Sequence, residues 1–295
     1  MTLFGPDPDP GPPAGAGTGS AEVTLPPPPA TTTRLRLVLS YDGTGFRGFA
    51  AQPGQRTVAG VLGAALATAV GHTVELVCAG RTDAGVHAEG QVVHVEVRAD
   101  ADPAKLQRSV NTMLGPAVVV RSLSPAPPGF DARRSARARH YRYLLLEAPV
   151  PDPLLAPVAW HVPGPLDLRA MAGAADALLG EHDFRAFCRR VPGTSPDTPI
   201  VRRVLDAVVG ESPAGVADLP PGARVVRVDV TATSFCHQMV RSMVGVLVEV
   251  GRGRRRASDV VWLLRSGDRS RGGTLIAPPH GLCLVGVDYG EGPAR

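Results

Sequence analysis

The chain has 295 residues, of which 44% are hydrophobic and 20% charged, so it can bury a sizeable core and is not wholly disordered. Its 31 basic and 27 acidic residues leave a formal net charge of +4, and every basic residue except Lys105 is arginine. A positive, arginine-rich chain suits a polyanionic partner, although a GC-rich genome also favours arginine over lysine.

The N-terminus lacks the basic start and apolar run of a signal peptide, and no apolar run is long enough to span a bilayer. A cytoplasmic protein without a membrane partner is therefore expected. The four cysteines are not spaced as metal ligands, so buried free thiols in a reducing compartment are expected rather than a zinc site.

Proline and glycine dominate residues 1–33, which hold nine prolines and five glycines. Proline interrupts helices and sheet ladders, and few apolar side chains are present to form a core. This segment is predicted to be a disordered tail.

From residue 34 onward, one pattern of strands and helices occurs twice. The first pass predicts strands at 34–41, 74–78, 91–97 and 117–123, with helices that begin after Thr57 and after Asp102. The second pass predicts strands at 141–147, 201–209, 224–230 and 282–289, with helices near 166–179, 236–250 and 258–264. Each pass has the order βαββαβ, the second with one extra helix, which is the ferredoxin-like plan.

The duplication predicts an α+β fold in which two ferredoxin-like halves form one continuous antiparallel sheet, with helices on one face and a central active-site cleft. After the tail, we expect a first half at 34–125 and a second half at 126–295.

The segment Gly80–His87, with the sequence GRTDAGVH, joins two predicted strands and is longer than a plain hairpin needs. Its two glycines allow backbone shapes that other residues resist. The carboxylate of Asp83 is thus placed with Arg81 and His87 on a shaped loop at a sheet edge. Taken alone, an aspartate beside glycine is more often a turn residue bonded to its own backbone, and this alternative stays open here.

Five arginines and no acid lie between Arg133 and Arg142. Such a cluster attracts phosphate, and Tyr141 and Tyr143, which share one face of a strand, offer rings on which a base can stack. A solvated basic edge strand that resists aggregation is an equally good interpretation of the arginines.

Arg241 lies in a predicted helix that is apolar on most sides, and such a helix is buried. A buried arginine requires an anion nearby, because an unpaired buried charge is costly. The alternative is that Arg241, near the start of the helix, extends its stem to reach water.

These segments, in their order along the chain, resemble the tRNA pseudouridine synthase A family. The matching motifs are YDGTGF at 41–46, GRTDAGVH at 80–87, GQVVH at 90–94, RHYRY at 139–143, MVR at 239–241, VG at 244–245 and GL at 281–282. The resemblance extends from about Arg34 to Tyr289. The chain departs from the family pattern at Phe49–Gln52, at His237-Gln238, where a His-His pair is usual, and at Cys283.

The resemblance implies a homodimer that converts uridine to pseudouridine at positions 38, 39 and 40 in the anticodon stem-loop of tRNA, without a metal or organic cofactor. It places the nucleophilic carboxylate on Asp83 and the arginine that pairs with it on Arg241. It also makes Tyr141 the active-site tyrosine and Arg81 the arginine that helps to turn the target base out. Arg137 and Arg139 are expected to hold the RNA backbone.

Two other classes of function are considered. A non-catalytic RNA-binding protein can also use a ferredoxin-like sheet with aromatic residues, but plain binding requires no carboxylate beside RNA. A glycosidic hydrolase usually needs two carboxylates, and the matched motifs contain no acidic partner for Asp83.

Overall fold

The computed structural model describes residues 25–190, 193, 195, 197–212, 219, 222–269 and 275–290. The first half contains β1 (Thr32–Tyr41), α1 (Val58–Val70), β2 (Leu76–Cys78), β3 (His87–Arg98), α2 (Pro103–Leu114) and β4 (Val118–Pro125). Both helices begin where the sequence predicts. The Thr57 hydroxyl accepts from Gly60 N, and the Asp102 carboxylate accepts from the first amides of α2.

The second half contains β5 (Ala138–Glu147), β6 (Trp160–Val162), α3 (Leu168–Asp176), β7 (Gly180–Asp183), β8 (Val201–Glu211), β9 (Arg224–Ala232), α4 (Met239–Gly251), α5 (Ala257–Ser266) and β10 (Leu282–Asp288). The strands β6 and β7 were not predicted. They are only three and four residues long, too short for a periodic pattern to reveal.

The two halves repeat one strand order. In the first half the order is β4-β1-β3 with β2 beside β3, and in the second it is β10-β5-β9-β8, extended by β7. Each is the order of a ferredoxin-like βαββαβ unit. The predicted fold, an α+β protein of two such halves sharing a mostly antiparallel sheet, is therefore confirmed.

The halves meet through a short parallel contact between β3 and β10. Only His87 and Ala88 of β3 pair with β10, whereas residues 93–95 of the same strand pair with β2. The loop from β2 to β3 therefore lies where the two halves come together. One hydrophobic core, which includes Leu37 from the first half and Leu247 from the second, continues across the junction.

The segment that connects the two halves covers part of the sheet face opposite the helices. The guanidinium of Arg36 lies 5.3 Å from the ring centre of Phe130 and 4.8 Å from that of Tyr289. Tyr289 also donates to the carbonyl of Ala132 at 2.7 Å. This connection is thus held to both halves.

Part of the predicted tail belongs to the folded structure. Thr32 and Thr33 lie in β1, and Thr73 N donates to Pro26 O at 2.9 Å. Residues 1–24, for which disorder is predicted, lie outside the described residues. Among the described residues, no helix combines the length and apolar character that crossing a membrane requires.

The expectation of four free thiols is wrong for one pair. Cys188 and Cys236 form a disulfide with their Cα atoms 5.8 Å apart, whereas Cys78 and Cys283 are free and partly buried. The spacing of 48 residues gave no sign of this pairing, because distant segments bring the two side chains together. Disulfides are rare in reducing compartments, so the cysteines no longer support a cytoplasmic location.

The helix α4 is buried on nearly all sides, as its sequence predicts, and Gly245 lets another segment pass against it. A Cβ atom at Gly245 would overlap the backbone carbonyl of Leu275. Two residues further on, Ala277 N donates to Arg241 O and Ala277 O accepts from Arg241 Nε at 2.8 Å. The close approach therefore also fixes the Arg241 side chain.

Replacing Gly245 by alanine should lower stability by about 1–3 kcal/mol, because the 275–277 segment must move. The matched control is Gly63→Ala in α1, where a Cβ atom meets only Leu76 Cδ1 at an ordinary 3.7 Å. That change should instead stabilise by about 0.5–1 kcal/mol through helix propensity. Thermal unfolding of both variants measures the difference. An unchanged melting temperature for Gly245→Ala would contradict the close approach.

Candidate active site

The loop Gly80–Val86 is held by bonds to buried groups. The hydroxyls of Thr82 and Tyr41 are 2.8 Å apart, Phe49 N donates to Thr82 O at 3.0 Å, and Gln91 Nε2 donates to Gly80 O at 2.6 Å. Gly85 adopts a φ of 77°, which favours glycine, and closes the turn after Asp83. The backbone around Asp83 is thus fixed on both sides.

His87, at the end of the loop, anchors the structure. Its Nδ1 accepts from Gly43 N at 3.1 Å, and its Nε2 lies 3.1 Å from Pro157 O. Asp42 Oδ1 also lies 3.2 Å from Nδ1, so the ring is held on both sides. The ring is buried and lies outside the cleft lining, so His87 holds the loop rather than contributing to the chemistry.

Two side chains from the second half, Arg241 and His237, approach the two carboxylate oxygens of Asp83. Arg241 Nη1 lies 3.3 Å from Asp83 Oδ2, and His237 Nε2 lies 3.2 Å from Asp83 Oδ1. Arg241 is the better shielded, with 14% of its side chain exposed against 45% for His237. The anion that a buried Arg241 requires is therefore Asp83, 158 residues away in the chain.

A left-handed residue precedes the helix that carries Arg241. Gln238 has a φ of 65°, the only positive φ of a non-glycine residue in the described part of the chain. It ends the preceding loop, so α4 begins at Met239 rather than near Cys236 as predicted. Such backbone strain is most often found at functional sites. It turns His237 away from the helix toward Asp83.

Tyr141 forms one wall of the site. Its ring packs edge-on against Phe235, with the ring centres 5.1 Å apart, and only 8% of the residue is exposed. Burial, and to a lesser degree the nearby Tyr41 and Asp83, raise the pKa of Tyr141 above its usual value. Its hydroxyl therefore stays protonated near neutral pH.

Tyr143 does not offer the stacking ring that the sequence predicts. It is fully buried, and its hydroxyl donates to Pro278 O at 2.7 Å. The two tyrosines share one strand face, as predicted. On that face Tyr141 lines the cleft, whereas Tyr143 lies in the core.

These groups lie in a cleft of about 1430 Å³ between the two halves. Its charged lining is strongly basic, with Glu75 and Asp83 as the acids and the following arginines: Arg47, Arg81, Arg133, Arg139, Arg189, Arg202 and Arg241. A cleft in which seven arginines outnumber two carboxylates suits a phosphate-bearing substrate.

The predicted arginine cluster separates into different environments. Arg133 and Arg137 are exposed, and only Arg133 lines the cleft. Arg142 pairs with Asp229 of β9 at 2.8 Å. Arg139 is half-buried and donates to four backbone carbonyls. Arg81 is exposed at the cleft and bonds no side chain that the structure describes.

His237, which contacts Asp83, was not assigned a role from the sequence. It lies in the loop before α4, so no helical spacing to Arg241 could reveal it. In the described part of the chain, no three His, Cys, Asp or Glu side chains come together as a metal-binding group.

Comparison with known proteins identifies similar chains. A family model described as tRNA pseudouridine synthase matches residues 37–133 and 174–290. A tRNA pseudouridine synthase A from Frankia casuarinae is 48% identical over 87% of this chain and 89% of its own. Another, from Methylobacterium radiotolerans, is 42% identical over 87% of this chain and 98% of its own.

All four tyrosines, Tyr41, Tyr141, Tyr143 and Tyr289, have pKa values raised chiefly by burial. Because an unfolded phenol titrates near pH 10, the folded state holds more protons above that pH. The stabilisation is complete below about pH 10 and is lost as pH rises toward the folded pKa values. Between about pH 10 and the folded pKa, each fully buried tyrosine should lower the free energy of unfolding by about 1.4 kcal/mol per pH unit.

The ultraviolet absorbance of phenolate, followed during an alkaline titration, measures this effect. In the folded protein the absorbance should rise only together with unfolding, whereas the chain in denaturant should titrate near pH 10. Tyrosines that ionise near pH 10 without loss of structure would contradict the burial of these hydroxyls.

Proposed function

Because this chain belongs to the tRNA pseudouridine synthase family, we propose that it converts uridine to pseudouridine at positions 38, 39 and 40 in the anticodon stem-loop of tRNA. The observation that carries the proposal is the carboxylate of Asp83, which lies between His237 and Arg241 in an arginine-lined cleft. An RNA-binding module alone has no need of such a carboxylate.

The target base must leave the RNA stem before it can react. A stacked base is out of reach, so enzymes of this kind turn it into a pocket. The cleft has room for a nucleotide and its neighbours. Arg81 is exposed two residues before Asp83, where it can occupy the space that the base leaves. The family resemblance gives Arg81 the role of turning the base out, and its exposure at the cleft supports this role.

The reaction breaks the N1–C1′ bond, rotates the uracil and forms a C5–C1′ bond, so the product is an isomer of the substrate. A single carboxylate can begin this in two ways. It can attack C1′ as a nucleophile, or it can remove a ribose proton to give a glycal-like intermediate. Both routes use the carboxylate of Asp83, which Arg241 holds at 3.3 Å.

Tyr141 contributes a ring and a neutral hydroxyl beside this carboxylate. The ring can stack on the uracil. Because burial keeps the hydroxyl protonated, any proton that it takes from C5 must be matched by one that it releases. Tyr141 therefore suits a relay of the C5 proton better than a permanent base.

The proposed chemistry requires neither a metal nor an organic cofactor, so activity should persist in chelator. The family resemblance further implies a cytoplasmic homodimer. We include both features in the proposal, and sedimentation of the purified protein tests the dimer. The location, which the cysteines do not support, is tested by fractionating cells.

Asp83→Asn keeps the shape of the side chain but removes its charge. Release of tritium from tRNA labelled at uridine C5 should become undetectable, while tRNA affinity stays within about threefold, because charge on one carboxylate matters little to phosphate binding. The matched control is Asp206→Asn, at an exposed position of β8 outside the cleft lining. Pseudouridine formed by pure Asp83→Asn protein would exclude the catalytic role. An inactive wild-type protein that still binds tRNA would favour the RNA-binding module.

Arg137→Gln should weaken the binding of all tRNAs alike, because phosphate contacts position RNA without reading its sequence. Each lost phosphate contact should reduce the slope of log affinity against log salt by about one unit. Arg108→Gln, at an exposed position of α2 outside the cleft lining, is the control for loss of one surface charge. Equal salt slopes for the two variants would remove Arg137 from the RNA path.

A further inference from the structure

Arg139 is bonded on both sides of its guanidinium to backbone carbonyls. Nη1 donates to Thr233 O at 2.7 Å and to Ala136 O at 3.2 Å. Nη2 donates to Ala79 O at 2.8 Å and to Arg133 O at 3.0 Å. All four hydrogens of the two terminal nitrogens are therefore in use.

This bonding leaves little of Arg139 for a phosphate. The side chain is half-buried, and burial lowers the pKa of Arg139 from its usual value. A phosphate oxygen would have to displace carbonyls that are already well placed, and each displaced carbonyl would need a new donor. These bonds favour a different role for Arg139 from the contact with the RNA backbone that the arginine cluster predicts.

Two of the four carbonyls belong to the segments that carry Asp83 and its partners, and the other two belong to the stretch just before Arg139. Ala79 directly precedes the loop that carries Asp83. Thr233 directly follows β9 and begins the loop that leads through His237 to α4 and Arg241. One guanidinium therefore connects the carboxylate loop of the first half to the segment of the second half that supplies His237 and Arg241, the two partners of Asp83.

We propose that Arg139 is a positioning residue, which holds the Asp83 loop and the His237–Arg241 segment in register so that the carboxylate meets its partners. This proposal rests on the proposed function of Asp83. Without Arg139, the contacts of the Asp83 carboxylate with His237 at 3.2 Å and with Arg241 at 3.3 Å should lengthen. A displacement of about 1 Å in such a site can cost about 100-fold in rate.

The Arg139→Lys variant distinguishes a positioning role for Arg139 from a role that needs only its positive charge. Lysine keeps the charge and the aliphatic stem, but its single ammonium cannot reach carbonyls on both sides of a planar fork. A phosphate contact would largely survive this change, whereas the connection between the two segments would not. Arg139→Gln removes both the charge and most donors, and Arg108→Gln again controls for loss of a surface charge.

The experiment measures single-turnover tritium release with saturating enzyme, tRNA affinity at several salt concentrations, and the melting temperature. Arg139→Lys and Arg139→Gln should both react about 100-fold more slowly at temperatures well below melting. Their affinities should stay within about threefold, with an unchanged salt slope. A purely stabilising residue would lower the melting temperature without this loss of rate in the folded protein.

Free guanidinium at millimolar concentration offers an additional readout with Arg139→Ala. It should restore part of the rate in that variant and none in Asp83→Asn. Absence of rescue together with a normal rate in Arg139→Lys would overturn the proposal. So would a salt slope reduced by about one unit in Arg139→Gln, which would assign Arg139 to phosphate.

An Arg139→Lys protein that does not fold would assign Arg139 to the stability of the fold and also overturn the proposal. The wild-type assay separates these outcomes from failure of the proposed function. Wild-type protein without tritium release refutes the synthase activity itself. Active wild-type protein with an equally active Arg139→Lys variant refutes only the positioning role.

Discussion

A guanidinium withdrawn from water must bond to an anion or to carbonyl oxygens, and this requirement organises the cleft. Arg241 and Arg139 meet it in different ways. Arg241 bonds the carboxylate of Asp83 and the carbonyl of Ala277, whereas Arg139 bonds four carbonyls. In both cases the partners come from distant parts of the chain. Satisfying these two charges therefore brings Asp83, His237 and Arg241 together.

The same requirement explains why the two halves form one structure. Asp83 belongs to the first half, and His237 and Arg241 belong to the second. The direct strand contact between the halves is short, with only His87 and Ala88 of β3 paired to β10. The continuous core and the charged contacts at the cleft supply the rest of the junction. Separation of the halves would take Asp83 away from both His237 and Arg241.

Local signals in the sequence predicted most of the fold. The caps at Thr57 and Asp102 fix where two helices begin, because a side-chain oxygen there bonds amides within the next three residues. The uniform apolar character of α4 predicted its burial and, with it, an anion for Arg241. The family resemblance then indicated which anion this is. Each of these inferences uses neighbours in sequence or a motif already known.

What could not be predicted depends on contacts between distant segments. Ala79 and Thr233 are 60 and 94 residues from Arg139, and no periodicity shows that their carbonyls meet its guanidinium. The pairing of Cys188 with Cys236 is hidden for the same reason. The strand alternation correctly placed Tyr141 and Tyr143 on one face. It could not show that Tyr143 lies in the core rather than in the cleft. That difference depends on a distant residue, Pro278, whose carbonyl accepts from the Tyr143 hydroxyl.

The preference for arginine has a practical consequence for handling this enzyme. Lys105 carries the only side-chain amine in the sequence, and it is exposed in the first turn of α2, outside the residues that line the cleft. Amine-reactive dyes and surface-coupling reagents will therefore leave every side chain of the cleft unmodified. The α-amine of the chain also reacts with such reagents, so blocking it first leaves Lys105 as the point of attachment for surface-based studies of tRNA capture.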